Sequence, residues 1–143
     1  MTIAEHPHQG SLVVADYSTG GFKEPEMVKK RLAIVLSPKI KSRHKLCTIV
    51  PLSLSEPEPV MPYHCQIDVP FKLPREWGNM ERWVKGDMVN SVGFHRLNLL
   101  RLGKDACGVR IYQYETLPPE LFIKVRRCVL HGMGLSTLTK HLK

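Results

Sequence analysis

The sequence predicts an α+β fold, a small β-barrel with a C-terminal helix. Three observations predict it. Between Ser11 and Tyr114, short runs rich in Val, Ile, Leu and Tyr alternate with breaks of Gly, Pro, Ser and Asp, the pattern of consecutive short strands. After Pro118 the period changes, and Leu121, Val125, Cys128 and Val129 recur at helical spacing. The chain has 143 residues, 43% of them hydrophobic, which suits one domain with a real core. Strands followed by a helix packed on them satisfy the apolar faces of both.

Residues 1–9 carry Pro and His without periodicity and are read as a flexible terminus, leaving residues 10–143 as a single domain. "SLVVADY" is the first strand, ended by Ser18, Thr19, Gly20 and Gly21. "RLAIVLS" is apolar throughout, as a central strand buried on both faces should be. "KLCTIVPL" is the third strand. Its Pro51 has no N–H to give a ladder and is expected at a bulge or an edge. "SEPEPVMP" is a loop, and "YHCQIDV" alternates as a fourth strand. "PFKLPREWGNMER", residues 70–82, is turn-rich and reads as an insertion. "WVKGDMVNSVGF" returns to strand character around Gly86, "HRLNLLR" is expected as a short helical turn, and "GVRIYQY" as a further strand. Pro118 and Pro119 open the helix, Pro119 being suited to its first turn. Gly132 and Gly134 end it, and Ser136 is expected to cap a last turn in "STLTKHL".

The formal charge of +8, from 21 Lys and Arg against 13 Asp and Glu, favours an anionic partner such as nucleic acid. Cys47, Cys65, Cys107 and Cys128 form no CxxC pair, which disfavours zinc. "MTIAEHPHQG" has no apolar signal-peptide core, and no apolar run approaches the roughly 20 residues of a membrane span. The reading is a cytoplasmic protein with four reduced, mostly buried thiols and no membrane partner. There is no phosphate-binding glycine loop, HExxH, GxSxG or dinucleotide fingerprint, and the acids do not gather at metal-ligand spacing. No metal or other cofactor is expected.

What remains are polar residues at strand ends: Arg31 before the second strand, Ser53 after the third, His64 at the start of the fourth, and Lys85 and Asp87 around Gly86. Singly, each has a bland reading as a solvated flank or a turn residue. Together they suit RNA cleavage without metal. That reaction needs the 2′-hydroxyl deprotonated, the phosphate charge stabilised and the leaving 5′-oxygen protonated. An Arg can hold phosphate oxygens in a bidentate grip, a hydroxyl can add a hydrogen bond, and a carboxylate can act as base.

The order "QGSLVVADY", "EPEMVKKRLAIVLS", "CTIVPLS", "MPYHCQI", "WVKGDMVNSVGFHRL", closed by "VLHGMGLSTLTKHL", resembles the PemK/MazF family of toxins from type II toxin–antitoxin systems. The likeness runs over residues 10–142 and leaves residues 70–82 as an insertion. It implies an SH3-like β-barrel of the MazF/CcdB type with a C-terminal helix, usually a homodimer. It implies a metal-independent, sequence-selective endoribonuclease that cuts single-stranded RNA or mRNA, leaves a 2′,3′-cyclic phosphate and a 5′-hydroxyl, and is silenced by a cognate antitoxin lying across the RNA groove. Carried onto this chain, the resemblance makes Arg31, Ser53 and Asp87 the catalytic set and puts Glu24, His64 and Lys85 on the RNA path, where Lys29 and Lys30, as basic loop residues, are expected to track the RNA backbone. The chain departs from the family pattern where Leu32 stands in place of the usual proline, where Lys85 replaces an arginine found in some members, and in its long charged first loop. A non-catalytic barrel that binds nucleic acid or antitoxin, or a topoisomerase-inhibiting toxin on the same fold, is the alternative.

Overall fold

The computed structural model describes residues 2–78 and 80–143. Its strands are β1 (Leu12–Asp16), β2 (Lys30–Val35), β3 (Leu46–Ser53), β4 (His64–Asp68), β5 (Glu81–Lys85), β6 (Asn90–Gly93), β7 (Leu97–Leu99), β8 (Arg101–Lys104) and β9 (Arg110–Tyr112), followed by the helix α1 (Pro119–Gly132). The main sheet runs β4-β5-β3-β2-β1-β7, with β6 also paired to β3, while β8 and β9 form a separate hairpin. All pairings are antiparallel. The path from β4 to β7 stays open, so the predicted barrel is a bent, barrel-like sheet rather than a closed cylinder.

The unbroken apolar run of β2 has a direct cause: each face of the strand is covered. Leu32 and Ile34 pack with Leu12, Val50, Leu52 and the Val125, Cys128 and Val129 face of α1. Ala33 and Val35 pack with Val13, Ala15, Tyr17 and Ile49 on the other side. Leu32 is fully buried, so the residue standing where the family has proline anchors the strand through packing and through its pairing with Val14.

Pro51 lies inside β3, at an irregularity in its ladder. Ile49 pairs with Asn90 of β6, but Leu52 pairs with Val84 of β5, and the connection between those strands loops out opposite Val50 and Pro51. The missing N–H falls at that gap.

Four expectations are corrected, two of them by long-range contacts. "HRLNLLR" is a 3-10 turn only over Phe94–Arg96, and Leu97–Leu99 then forms β7, because Leu97 and Leu99 pair with Ala15 and Val13. Ser136 caps nothing: it opens the 3-10 turn Ser136–His141, Leu135 holds the cap position, and there is no side-chain cap bond. Residues 2–8 lie along the sheet instead of hanging free, since Ile3 is buried, its N–H donates to Leu97 O at 2.9 Å, and His6 Nε2 lies 3.2 Å from Ser37 Oγ. Of the four free thiols only Cys47 and Cys128 are buried; Cys65 is half-buried and Cys107 exposed. Residues 70–82 fold onto the helix-side core through Phe71, Leu73 and Trp77, and only Asn79 among them lies outside the described residues. Among the described residues no helix is long and apolar enough to cross a membrane.

Candidate functional site

Strand register builds the site. Arg31 pairs with Ala15 on one side, and on the other Ala33 opposes Pro51. Carried two residues further, that register sets Arg31 across from Ser53. Ser53 in turn opposes Trp83, and Trp83 opposes Gln66. Directly opposed residues share a sheet face, and neighbouring strands stand about 4.8 Å apart, so this is one row of side chains across four strands. One pleat along the same face, Lys85 opposes His64. Arg31, Ser53, Lys85 and His64, scattered in sequence, thus share one strip.

The two ends of the strip differ in environment. Ser53 is buried, and its Oγ accepts the N–H of Ser55 at 3.3 Å, leaving the hydroxyl proton to donate elsewhere. Arg31 is half-buried, and its Nε is out of solvent with no hydrogen-bond partner among the described residues. A buried unmade hydrogen bond costs about 1–3 kcal/mol, a cost that a bound anion would offset. A second guanidinium lies near. Burial first, and the charge of Arg31 second, hold the Arg82 pKa below its ordinary value. Arg82 donates from Nη2 to Trp77 O at 2.7 Å and stacks on the Trp77 ring at 5.9 Å, so the insertion fixes it in place. By alternation Arg82 points to the helix-side face, so it adds positive charge behind the row rather than a second guanidinium within it.

At the other end, His64 Nδ1 accepts the Met61 N–H at 3.1 Å, which places the neutral ring's proton on Nε2. Burial and then the Lys85 charge depress its pKa below 6.5, while Asp87 acts the other way. His64 is therefore neutral at pH 7 and offers a donor, not a charge. Because the folded pKa lies below the unfolded one, the unfolded chain binds this proton first. Stability linked to His64 is full above the unfolded value and falls as pH drops from 6.5 toward the depressed folded pKa. In an NMR titration the His64 ring should titrate below 6.5, and further below it in Asp87→Asn; a midpoint at or above 6.5 in the unmodified protein would contradict this environment.

Asp87 does not join the Arg31–Ser53 row. It is exposed in the turn after β5, four residues beyond Trp83, up to about 13 Å of strand at about 3.3 Å per residue. With Tyr17, Glu26, Met27 and Asn90 it lines a cleft of about 490 Å³ between this turn and the β1–β2 loop. Tyr17 Oη is buried there without a partner among the described residues, and burial pushes its pKa up. The loop is clamped by Arg96, whose Nη1 donates to Thr19 O at 2.7 Å and Asp16 O at 3.2 Å and whose guanidinium lies 4.5 Å from the Phe22 ring. Glu24, Lys29 and Lys30 are exposed on and after this loop. Lys30 sits opposite Asp16 and, by alternation, points to the face away from Arg31. Among the described residues no three His, Cys, Asp or Glu side chains gather as a metal-holding group.

Sequence reading missed Trp83 and Arg82 as neighbours of the site. The alternation in "WVK" does place Trp83 and Lys85 on one face. Nothing in the sequence indicates that this face adjoins Ser53.

Known proteins agree with this fold. A Haemophilus influenzae protein described as uncharacterized is 31% identical over 149 aligned positions, spanning 96% of this chain and 98% of that one. The Deinococcus radiodurans MazF structure superposes with a TM-score of 0.58 at 19% identity, covering 91% of this chain and 98% of its own. An endoribonuclease solved with its cognate antitoxin from a mycobacterial species gives 0.56 at 15% identity, over 90% of this chain and 96% of that one. The model of the PemK-like, MazF-like toxins of type II toxin–antitoxin systems matches residues 8–131, and the chain belongs to that family.

Proposed function

We propose that this protein is a toxin endoribonuclease that cleaves single-stranded RNA by attack of the ribose 2′-hydroxyl on its own phosphate, without metal. The observation that carries the reading is the unpartnered Arg31 Nε on a strand whose register with β3, Ala33 opposite Pro51, carries Arg31 toward Ser53 when continued. Arg31 holds the non-bridging oxygens as charge builds and supplies the proton for the departing 5′-oxygen. Ser53 donates its free O–H to the same phosphate. Asp87, expected as the base, stands in the neighbouring cleft too far along the strip to reach that 2′-hydroxyl, so the 2′-hydroxyl proton passes to solvent at the open face of the strip, while Lys85 and the His64 Nε2–H guide the strand and Asp87 borders it beyond the cleaved phosphate. Glu24 and Lys29 border the RNA from the first loop, and Lys30, at the start of β2 and turned to the other face, adds to the positive charge beside it. The family membership supports a cognate antitoxin laid over the same strip, a homodimer as the working state, and action in the cytoplasm.

Purified protein incubated with a long single-stranded RNA in EDTA should give fragments ending in a 2′,3′-cyclic phosphate and a 5′-hydroxyl. Intact RNA, beside an active family member cutting in parallel, would refute the reading. Binding should also be salt-dependent. For a 2′-O-methyl oligoribonucleotide, which has no nucleophile, the slope of log affinity against log salt should flatten by about 0.7 when Lys85 is changed to Ala, the contribution of one phosphate on a single strand. An unchanged slope would remove Lys85 from the RNA path.

A further inference from the structure

Between Ser53 and Gln66, in the centre of the row, stands an aromatic residue that the proposed reaction does not use. Trp83 opposes Ser53 on one side and Gln66 on the other, with Lys85 two residues on along the same face. It is half-buried and belongs to neither hydrophobic core, whereas Trp77 packs into the helix-side core. The alternate residues of its own strand, Arg82 and Val84, point the other way and are buried. Trp83 therefore presents an indole beside a serine hydroxyl and a lysine, two strands away from a guanidinium with an unspent donor. An aromatic surface next to phosphate-binding cations is the combination by which proteins hold unpaired bases. Gln66, whose Nε2 lies 3.5 Å from Glu81 Oε2, gives the platform a polar outer rim.

We propose that Trp83 is a stacking platform for the RNA base adjoining the phosphate held by Arg31 and Ser53, so that an unstacked nucleotide is a requirement of this site. The inference rests on the ribonuclease reading for the identity of that phosphate. The platform itself is tested by binding. A duplex keeps its bases stacked on one another and has no free face to offer the indole, whereas a single strand does.

The experiment uses the full chain and a 2′-O-methyl octanucleotide. Its binding to the unmodified protein should change the Trp83 emission, and the change should be absent in Trp83→Phe. Trp83→Ala should weaken binding roughly 5- to 150-fold, as expected for one lost base stack, and Trp83→Phe should recover part of that loss. A probe with one nucleotide made abasic at successive positions should reveal one position where the Trp83→Ala penalty vanishes. With cleavable RNA, Trp83→Ala should raise KM more than it lowers kcat. Equal affinity of Trp83→Ala and the unmodified protein, or no emission change on saturation, overturns the platform even if RNA is cleaved. An emission change at Trp83 without cleavage of ordinary RNA overturns the ribonuclease reading and leaves the platform standing. No binding overturns both. A general loss of fold in Trp83→Ala would show as a lowered melting temperature, and Trp83→Phe together with the emission of the unmodified protein then decides.

Discussion

Arg31→Ala should lower RNA cleavage about 100- to 1,000-fold, the usual loss when one preorganised donor to a developing oxyanion is removed. The guanidinium is proposed to act on the phosphate, and its Nε is a buried donor with no partner among the described residues. Its stability consequence runs against intuition for a half-buried residue. The substitution removes an unspent buried donor and relieves the repulsion that depresses Arg82, while losing some packing of the side-chain stem. These terms oppose each other, so the melting temperature should hold or rise. Arg31→Lys keeps the charge but loses the planar fork, and its activity should fall between the two. Cleavage and thermal melting measured on the same preparations check the set. Retained activity in Arg31→Ala would displace Arg31 from the reaction, and a collapse of folding would make it a structural residue.

Gly86→Ala should produce the largest loss of stability. Its φ is not in the left-handed region, so the effect is purely steric. A Cβ there would lie 2.5 Å from Cys128 O, 2.6 Å from Cys128 C and 2.7 Å from Tyr63 O, all backbone atoms that cannot rotate away. Across the contact, a Cβ on Gly132 would come within 2.5 Å of Gly86 O. The β5–β6 turn and the end of α1 touch backbone to backbone through these two glycines. Forcing a methyl into such a contact costs about 1–3 kcal/mol, partly offset by about 0.4–1 kcal/mol from the stiffer unfolded chain. At about 2–4 °C per kcal/mol for a chain near this size, melting should drop by several degrees. Gly132→Ala should behave alike. Cleavage should fall as well, since Lys85 and Asp87 flank Gly86 and move with the turn. An unchanged melting temperature would mean that the turn and helix separate at little cost.

The two glycines show how local reading and tertiary structure divide. Both were visible as strand and helix punctuation, and Gly132 was read only as a helix stop. That they face one another follows from where α1 lands on the sheet, a contact between segments far apart in the chain. The same division runs through the fold. The β2 run and the α1 face were legible because burial imposes a period on the sequence, continuous apolar for a strand covered on both faces and 3.6 for a helix covered on one. "HRLNLLR" misled because its apolar spacing fits a helical turn, and only pairing of Leu97 and Leu99 with β1 makes it a strand.

By itself the sequence determined the class of the protein: an antiparallel sheet with one amphipathic C-terminal helix, a basic surface, and, through its ordered segments, the PemK/MazF family. It also nominated Arg31, Ser53, His64, Lys85 and Asp87, because strand ends are where an interrupted apolar pattern leaves polar side chains. Only the tertiary structure decided which of these stand together. Register set Ser53 beside Trp83 and Lys85 beside His64 on one face, its continuation carries Arg31 toward Ser53, and Asp87 stays in the neighbouring cleft. The physical reason is that side-chain period is a local property of each strand, whereas register depends on hydrogen bonds between strands distant in sequence, and a slip of one residue would turn every one of these side chains to the opposite face.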